Sequence, residues 1–376
     1  MSSVKIFCWM TSVVKFERRR ADGTAHRSKQ GLRALFAVYM MLMLAACEQP
    51  QRMHLISGAT MGTTWSVKVV DLPPGVTLVL LRQDIELLLE SINRQMSTYR
   101  PDSDISRFNS ADTETWQVVP PDFWRVATYS LMLASDTDGA FDPTVGPLVN
   151  AWGFGPESST EGGPDAAALK AAQARVGWQR VLRNEADQAL FQPGDVYLDL
   201  SATAKGYAVD KVMELLLGRG VKNALVEIGG DLRGHGVRPD GQPWRIAVEK
   251  PLPGVREIAH VLNVGDVAVA TSGDYRNYIP ESDVAAGGKR RSHLIDPRRG
   301  EPVEHGIVSV TVIHERCLEA DGLATALSVL DPDEGMAYAD KRKLAVLLMV
   351  QTAAGLEQRM TPQFQQYLAD QPYSAD

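Results

Sequence analysis

The chain has 376 residues, of which 44% are hydrophobic and 23% charged, with a formal charge of −7 at pH 7. That length and apolar share can bury the core of one or two ordinary globular domains. An acidic body argues against nucleic acid as a partner and admits a polyanionic ligand only where a divalent cation neutralises it.

The N-terminus stands apart from that core. Ala34 to Ala46 is an apolar run of 13 residues behind Arg27, Lys29 and Arg33, too short to span a bilayer as a helix but of the length of a signal-peptide apolar region. It ends in Leu44-Ala45-Ala46-Cys47, which resembles the lipobox of bacterial lipoproteins and would make Cys47 the lipidated first residue of the mature protein. The competing reading, a buried helix that happens to end in cysteine, does not account for the basic, apolar and small-residue zones in that order. Residues 1–46 are therefore expected to be removed, with 47–52 a lipidated linker and 53–376 one catalytic domain. Met1 to Gln30 exceeds what such a signal needs and points to a start site assigned too early. Removing 1–46 takes away eight Lys/Arg and two Asp/Glu and moves the formal charge from −7 to −13. Cys8 goes with that segment, Cys47 takes the lipid and Cys317 stands alone, so no disulfide or cysteine metal site is expected. The seven histidines show no His-x-x-x-His spacing, which argues against zinc.

From His54 to Val70 the pattern is that of a strand, interrupted by Gly58-Ala-Thr-Met-Gly62, small residues of the kind found at a bulge or at a close backbone approach to a ligand. Leu78 to Met96 has helical period, followed by a polar loop to Asp104. Pro120 to Asp136 is a second helix, running into the turn Asp138-Gly-Ala-Phe-Asp-Pro-Thr-Val-Gly146. Gly153 to Pro164 has no period and reads as a surface loop, and Pro164 to Val176 as an alanine-rich helix. Tyr197 to Asp210 reads as strand, turn and then helix from Gly206 to Leu217. This junction puts Asp199, Ser201 and Lys205 near a helix N-terminus, where free N–H groups favour phosphate oxygens, although surface charges on an ordinary connection fit the pattern as well.

Short strands are expected at Asn223–Glu227, Asp231–Gly234, Trp244–Glu249, His260–Val264 and Val267–Thr271. Gly229-Gly-Asp231 opens no helix, so no dinucleotide-binding unit is present. Ser292 to Gly300 is a strand closing in a proline turn, and His293 there is either structural or a proton carrier. Ile307 to Ile313 is a strand leading into a helix from Cys317 to Leu330, with Ala320, Leu323, Ala324 and Leu327 as its apolar stripe. Asp321 and Thr325, one turn apart on the rim of that stripe, either offer two hard oxygens to Mg²⁺ or Ca²⁺ or form a solvated face. Leu344 to Val350 is the last buried strand.

Seven ordered motifs stand out: GATMGTT (58–64), MSTYRPDSDISRFN (96–109), GAFDPTVGP (139–147), DLSATAKGYAVD (199–210), TSGDYRN (271–277), HLIDPRRG (293–300) and ADGLATA (320–326). With the lipobox in front, they resemble the FAD:protein FMN transferase family, also called ApbE or thiamine-biosynthesis lipoproteins, from about Met53 to about Val350. One departure is Arg299, where the family usually has threonine. The resemblance implies an α+β fold of the T-fold type, with mixed, largely antiparallel sheets and packed helices. It implies that Met61, Tyr99, Ala140, Phe141, Asp142, Asp199, Lys205 and Ile295 hold FAD, and that the Ala202 carbonyl, Asp321 and Thr325 hold Mg²⁺. The implied reaction moves the FMN moiety of FAD onto a Ser/Thr hydroxyl of a partner protein and releases AMP, with His293 as base and Lys205 assisting. The implied acceptor is a redox subunit such as that of the Na⁺-translocating NADH:quinone oxidoreductase, and the implied location is the periplasmic side of the membrane through the lipid anchor. A Mg²⁺-dependent FAD pyrophosphatase and a non-catalytic FAD-binding lipoprotein remain the alternatives.

Overall fold

The apolar strands of the chain meet in one antiparallel eight-stranded sheet. Its order is Met53–Thr60, Thr63–Val70, Ala224–Ile228, Asp231–His235, Ala268–Gly273, Ile307–His314, Ala345–Thr352 and Gly355–Met360. The computed structural model describes residues 51–155, 163–252, 257–273, 278–279 and 291–369. The expected signal segment and Cys47 lie outside these residues, as do positions 274–277 of the motif TSGDYRN and 156–162 of the expected surface loop. From Gln51 onward the chain forms one compact unit, and the α+β expectation holds.

The continuous apolar run from Ala345 follows from burial on both faces of the sheet. Val346, Leu348 and Val350 point into the cluster around the helix Cys317–Val329, while Ala345, Leu347 and Met349 point to the other face. That second face is covered by a separate hairpin, Trp244–Glu249 paired with Ile258–Val264, through Trp244, Val248, Leu262 and Val264. On the first face the helices Leu78–Met96, Pro121–Asp136 and Ser201–Gly218 pack over Trp65, Val67, Val69, Val226 and Ile228. Thr77 caps the first of these by accepting a hydrogen bond from Leu80 N at 3.3 Å.

The expected strand from His54 to Val70 is a two-stranded hairpin instead. Its turn is Met61-Gly62, both left-handed with φ of 49° and 70°, the backbone twist that tight hairpins need. Gly58 does mark a close approach, but to protein: a Cβ there would stand 2.6 Å from the Trp65 indole nitrogen on the paired strand. Two further expectations need correction. The helix expected from Gly206 begins at Ser201, and Tyr197 to Leu200 joins no sheet. The segment from Ser292 to Gly300 is not one continuous strand: Ser292 ends a two-residue strand, and Ile295–Asp296 forms a minimal hairpin with Glu301–Pro302 across the proline turn. The Arg298 guanidinium binds both oxygens of Asp296 within that turn, each at 3.0 Å. Arg299 contributes its carbonyl, which accepts from Gln173 Nε2 at 3.1 Å, so the turn uses the backbone of the departing residue.

The helices Ser201–Gly218 and Cys317–Val329 lie against each other and carry most of the chemistry. Gly206 makes their approach possible, since a Cβ there would fall 2.2 Å from the Cys317 carbonyl oxygen. The N-terminus of the Cys317 helix has no cap of its own. Asp210, fully buried on the neighbouring helix, accepts from Cys317 N and Leu318 N at 3.0 Å each and pairs with Arg233 at 2.6 Å.

Candidate active site

Where the two helices meet the sheet, a cavity of about 640 Å³ opens, within the size range of small-ligand sites. Ala140, Phe141 and Asp142 enter it from the turn after the helix Pro121–Asp136. That helix stops at Asp138 and Gly139, left-handed with φ of 49° and 76°, and Gly139 N closes back on the Ala134 carbonyl at 2.9 Å. Asp142 is nearly buried and held as a loop organiser: one oxygen accepts from Thr144 N and Oγ1 at 2.8 and 2.6 Å, the other from Trp178 N at 3.3 Å. Burial pushes its carboxyl up, and these hydrogen bonds pull it back.

The earlier start of the Ser201 helix brings its N-terminus to the cavity. Asp199, Ser201, Ala202 and Lys205 all line the wall. Asp199 accepts from Ser201 N at 2.8 Å and from its hydroxyl at 2.5 Å, which fixes the first turn. Lys205 reaches from the second turn between two carboxylates, 2.5 Å from Asp231 Oδ2 and 3.3 Å from Asp321 Oδ1. Burial works against its charge, but Asp231 and Asp321 together hold the ammonium above the usual lysine value.

Asp321, expected on the rim of the apolar stripe, lies deeper than a rim, and the solvated alternative falls away. Only 3% of it is exposed, and the helix around it is buried on nearly every side, including Gly322, Ala326 and Ser328. Its Oδ2 accepts from Gly206 N at 2.9 Å. Burial, with Asp231 adding repulsion, pushes its carboxyl up to about 7 against the pull of Lys205 and Gly206 N–H. Thr325, one turn on, is half-buried in the cavity wall, its hydroxyl 3.3 Å from Ser272 Oγ. Cys317 at the base of this helix is a free buried thiol, its pKa raised by burial, and takes no part in the cavity wall.

The donor set suits a hard cation. With both carboxylates ionised, Lys205, Asp231 and Asp321 carry one net negative charge, and the Ala202 carbonyl, Asp321 carboxylate and Thr325 hydroxyl are all oxygen donors. Among the described residues no group of three His, Cys, Asp or Glu is placed to hold a metal ion. His293 and Ile295 line the same cavity, and the His293 ring stands edge-on to Phe154 at 6.4 Å.

Two of the expected flavin contacts are not in the wall. Tyr99 is 72% exposed, in the loop after the helix Leu78–Met96. Met61 packs against the core from its hairpin turn, next to the Gly229-Gly230 turn that does line the cavity. Conversely, the sequence marks Asp231 only as the residue between a glycine turn and a strand, and not as part of the site. The signal was there: a carboxylate opening a strand directly after two left-handed glycines, φ 61° and 99°, is placed by its turn rather than free on a surface.

A model of the ApbE family matches residues 61–348. The FAD:protein FMN transferase of Vibrio cholerae is 42% identical, over 89% of this chain and 98% of its own, and that of Escherichia coli K12 is 36% identical over 88% and 95%. Among solved structures, the flavin transferase ApbE from Vibrio cholerae superposes with a TM-score of 0.78 at 40% identity, covering 85% of this chain and all of that one. The flavinyl transferase ApbE from Pseudomonas stutzeri gives 0.76 at 38% identity, covering 84% and 97%. With the matched segment holding every residue that lines the cavity, the chain belongs to the ApbE family.

Proposed function

We propose that this chain is an FAD:protein FMN transferase. The observation that carries the reading is the shared cavity wall: a helix N-terminus with Lys205, an oxygen-donor set at Asp321, Thr325 and Ala202, and His293 all face one space. The helix N-terminus and the Lys205 ammonium suit the two phosphates of FAD. The hydroxyl oxygen of an acceptor Ser or Thr attacks the FMN-side phosphorus, a new P–O bond forms, and the bond to the AMP half breaks. The hydroxyl proton is surplus in that exchange, and His293 is the group positioned to take it. Mg²⁺ held at Asp321, Thr325 and the Ala202 carbonyl would supply charge neutralisation on the phosphates. The acceptor is a redox subunit, such as one of the Na⁺-translocating NADH:quinone oxidoreductase.

Incubation with FAD and Mg²⁺, with and without acceptor protein, tests the reading by following AMP chromatographically. AMP release that needs the acceptor, together with flavin fluorescence on the acceptor band, is the expected result. Equal release without acceptor would instead make the chain an FAD pyrophosphatase, and no release a flavin-binding protein.

We further infer a lipid anchor at Cys47 and a periplasmic position at the membrane. Among the described residues no helix is long and apolar enough to cross a membrane, so on this reading attachment rests on the acylated cysteine. Cys47→Ala should lose incorporation of a palmitate analogue and shift from the membrane to the soluble fraction. Undiminished labelling of the variant would rule the lipobox out.

A further inference from the structure

Asp231 does not line the cavity, yet it makes the shorter of the two contacts to the Lys205 ammonium, which does. Only 2% of it is exposed. One oxygen receives Lys205 Nζ at 2.5 Å, and the other accepts from Thr271 N at 3.4 Å, tying the Ser201–Gly218 helix to the strand Ala268–Gly273. A carboxylate this deep needs a partner, and a lysine between two carboxylates is shared between them.

We infer that Asp231 is a positioning residue: it holds Lys205 so that Asp321 is left able to bind a divalent cation. This rests on the proposed role of Asp321 as a metal ligand. The reason is competition. An ammonium and a Mg²⁺ ion both seek the Asp321 carboxylate, and two cations on one carboxylate repel each other strongly at low dielectric. With Asp231 as the nearer partner, Lys205 keeps its charge balanced when Asp321 turns to the metal, and its ammonium stays at the cavity wall for a phosphate oxygen. Without Asp231, Asp321 is the remaining carboxylate within reach of Lys205, and the pair becomes an internal salt bridge that excludes the metal.

Mn²⁺ binding read by electron paramagnetic resonance in the presence of FAD, on protein shown folded by thermal melt, tests this without relying on turnover. Asp231→Asn should bind Mn²⁺ at least about tenfold more weakly than wild type, in line with the loss of one charge partner at a buried site. The decisive variant is Asp231→Asn with Lys205→Met. It removes the competing ammonium and restores one net negative charge, so Mn²⁺ affinity should return to within about threefold of wild type, while transfer stays slow because Lys205 is gone. A merely structural Asp231 predicts the reverse pattern, with the double variant no tighter than the single one. That result, or wild-type affinity in Asp231→Asn, would overturn the proposal. Asp321→Asn is the control for the underlying reading: if it bound Mn²⁺ as well as wild type, the metal assignment itself would fall and this inference with it.

Discussion

Asp321→Asn is expected to reduce FMN transfer by about 10³-fold with Mg²⁺ present, since metal neutralisation of a phosphoryl group is worth several kcal/mol of barrier and each 1.36 kcal/mol is tenfold. The fold should survive the change. Asn keeps a carbonyl oxygen where Oδ2 now accepts from Gly206 N, and Lys205 keeps Asp231 at 2.5 Å as its charge partner, while the amide N–H group replaces the Oδ1 that accepts from Lys205 at 3.3 Å and loses that one contact. Replacing a buried, partly unfavourable carboxylate by a neutral amide should leave the melting temperature within about 4 °C of wild type, the most that roughly 1 kcal/mol produces in a large domain. Alanine is the less informative choice, because it opens a gap against Gly206 in the tightest helix contact of the site. Flavinylation of the acceptor at saturating Mg²⁺, with the melt measured in parallel, checks both halves. A wild-type rate would show that the metal sits elsewhere.

The difference between the expected and observed surroundings of Asp321 shows what sequence conveys about this site. Helical period placed Asp321 and Thr325 one turn apart, and that spacing is local and holds in the structure. The same period made the opposite side of the helix look solvated, because an amphipathic pattern assumes water on one face. Here that face meets the helix Ser201–Gly218 across Gly206, and small residues, Gly322, Ala324 and Ala326, are what a helix needs to be approached from several sides. Their meaning as packing surfaces depends on partners more than a hundred residues away. The long strands were legible for the opposite reason: Ile307–His314 and Ala345–Thr352 are apolar throughout because both sheet faces are covered, and a continuous run is visible without its partner.

What failed was short or polar. Pro332–Arg342 buries only Pro332, Gly335 and Ala339, too few positions to mark a period, and Gly355–Met360 is an edge strand with no fully buried position. The residues that the resemblance implies for flavin differ in how their positions are fixed. Ala140 to Asp142, Asp199 and Ile295 are fixed by turns whose chemistry is written locally, in Gly139, in the Asp199–Ser201 contact and in the Asp296–Arg298 pair. Tyr99 sits in the polar loop before Asp104 and is exposed there, as that loop's composition implies.

His293 carries the other large effect. Its ring lines the cavity near the helix N-terminus, Lys205 and Thr325, and the two positions that follow lead into the small hairpin pinned by Arg298 on Asp296. The backbone that follows His293 is thus pinned by an ion pair. His293→Ala should therefore fold and bind FAD, yet transfer FMN on the order of 10²- to 10⁴-fold more slowly, the usual loss of one general base. The competing role is packing, since the ring also stands edge-on to Phe154 at 6.4 Å, a contact of about 1 kcal/mol at most beyond buried area. Packing alone predicts a lower melting temperature and a normal rate per folded molecule. Single-turnover transfer at saturating FAD, corrected for the folded fraction, separates the two, because saturation removes any binding defect and leaves only the chemical step. Phe154→Leu is the matched control: it removes the ring contact and keeps the imidazole, so it should retain most of the rate. A corrected His293→Ala rate within about threefold of wild type, far short of a missing base, would reject His293 and move the search to the half-buried Asp199 carboxylate in the same wall.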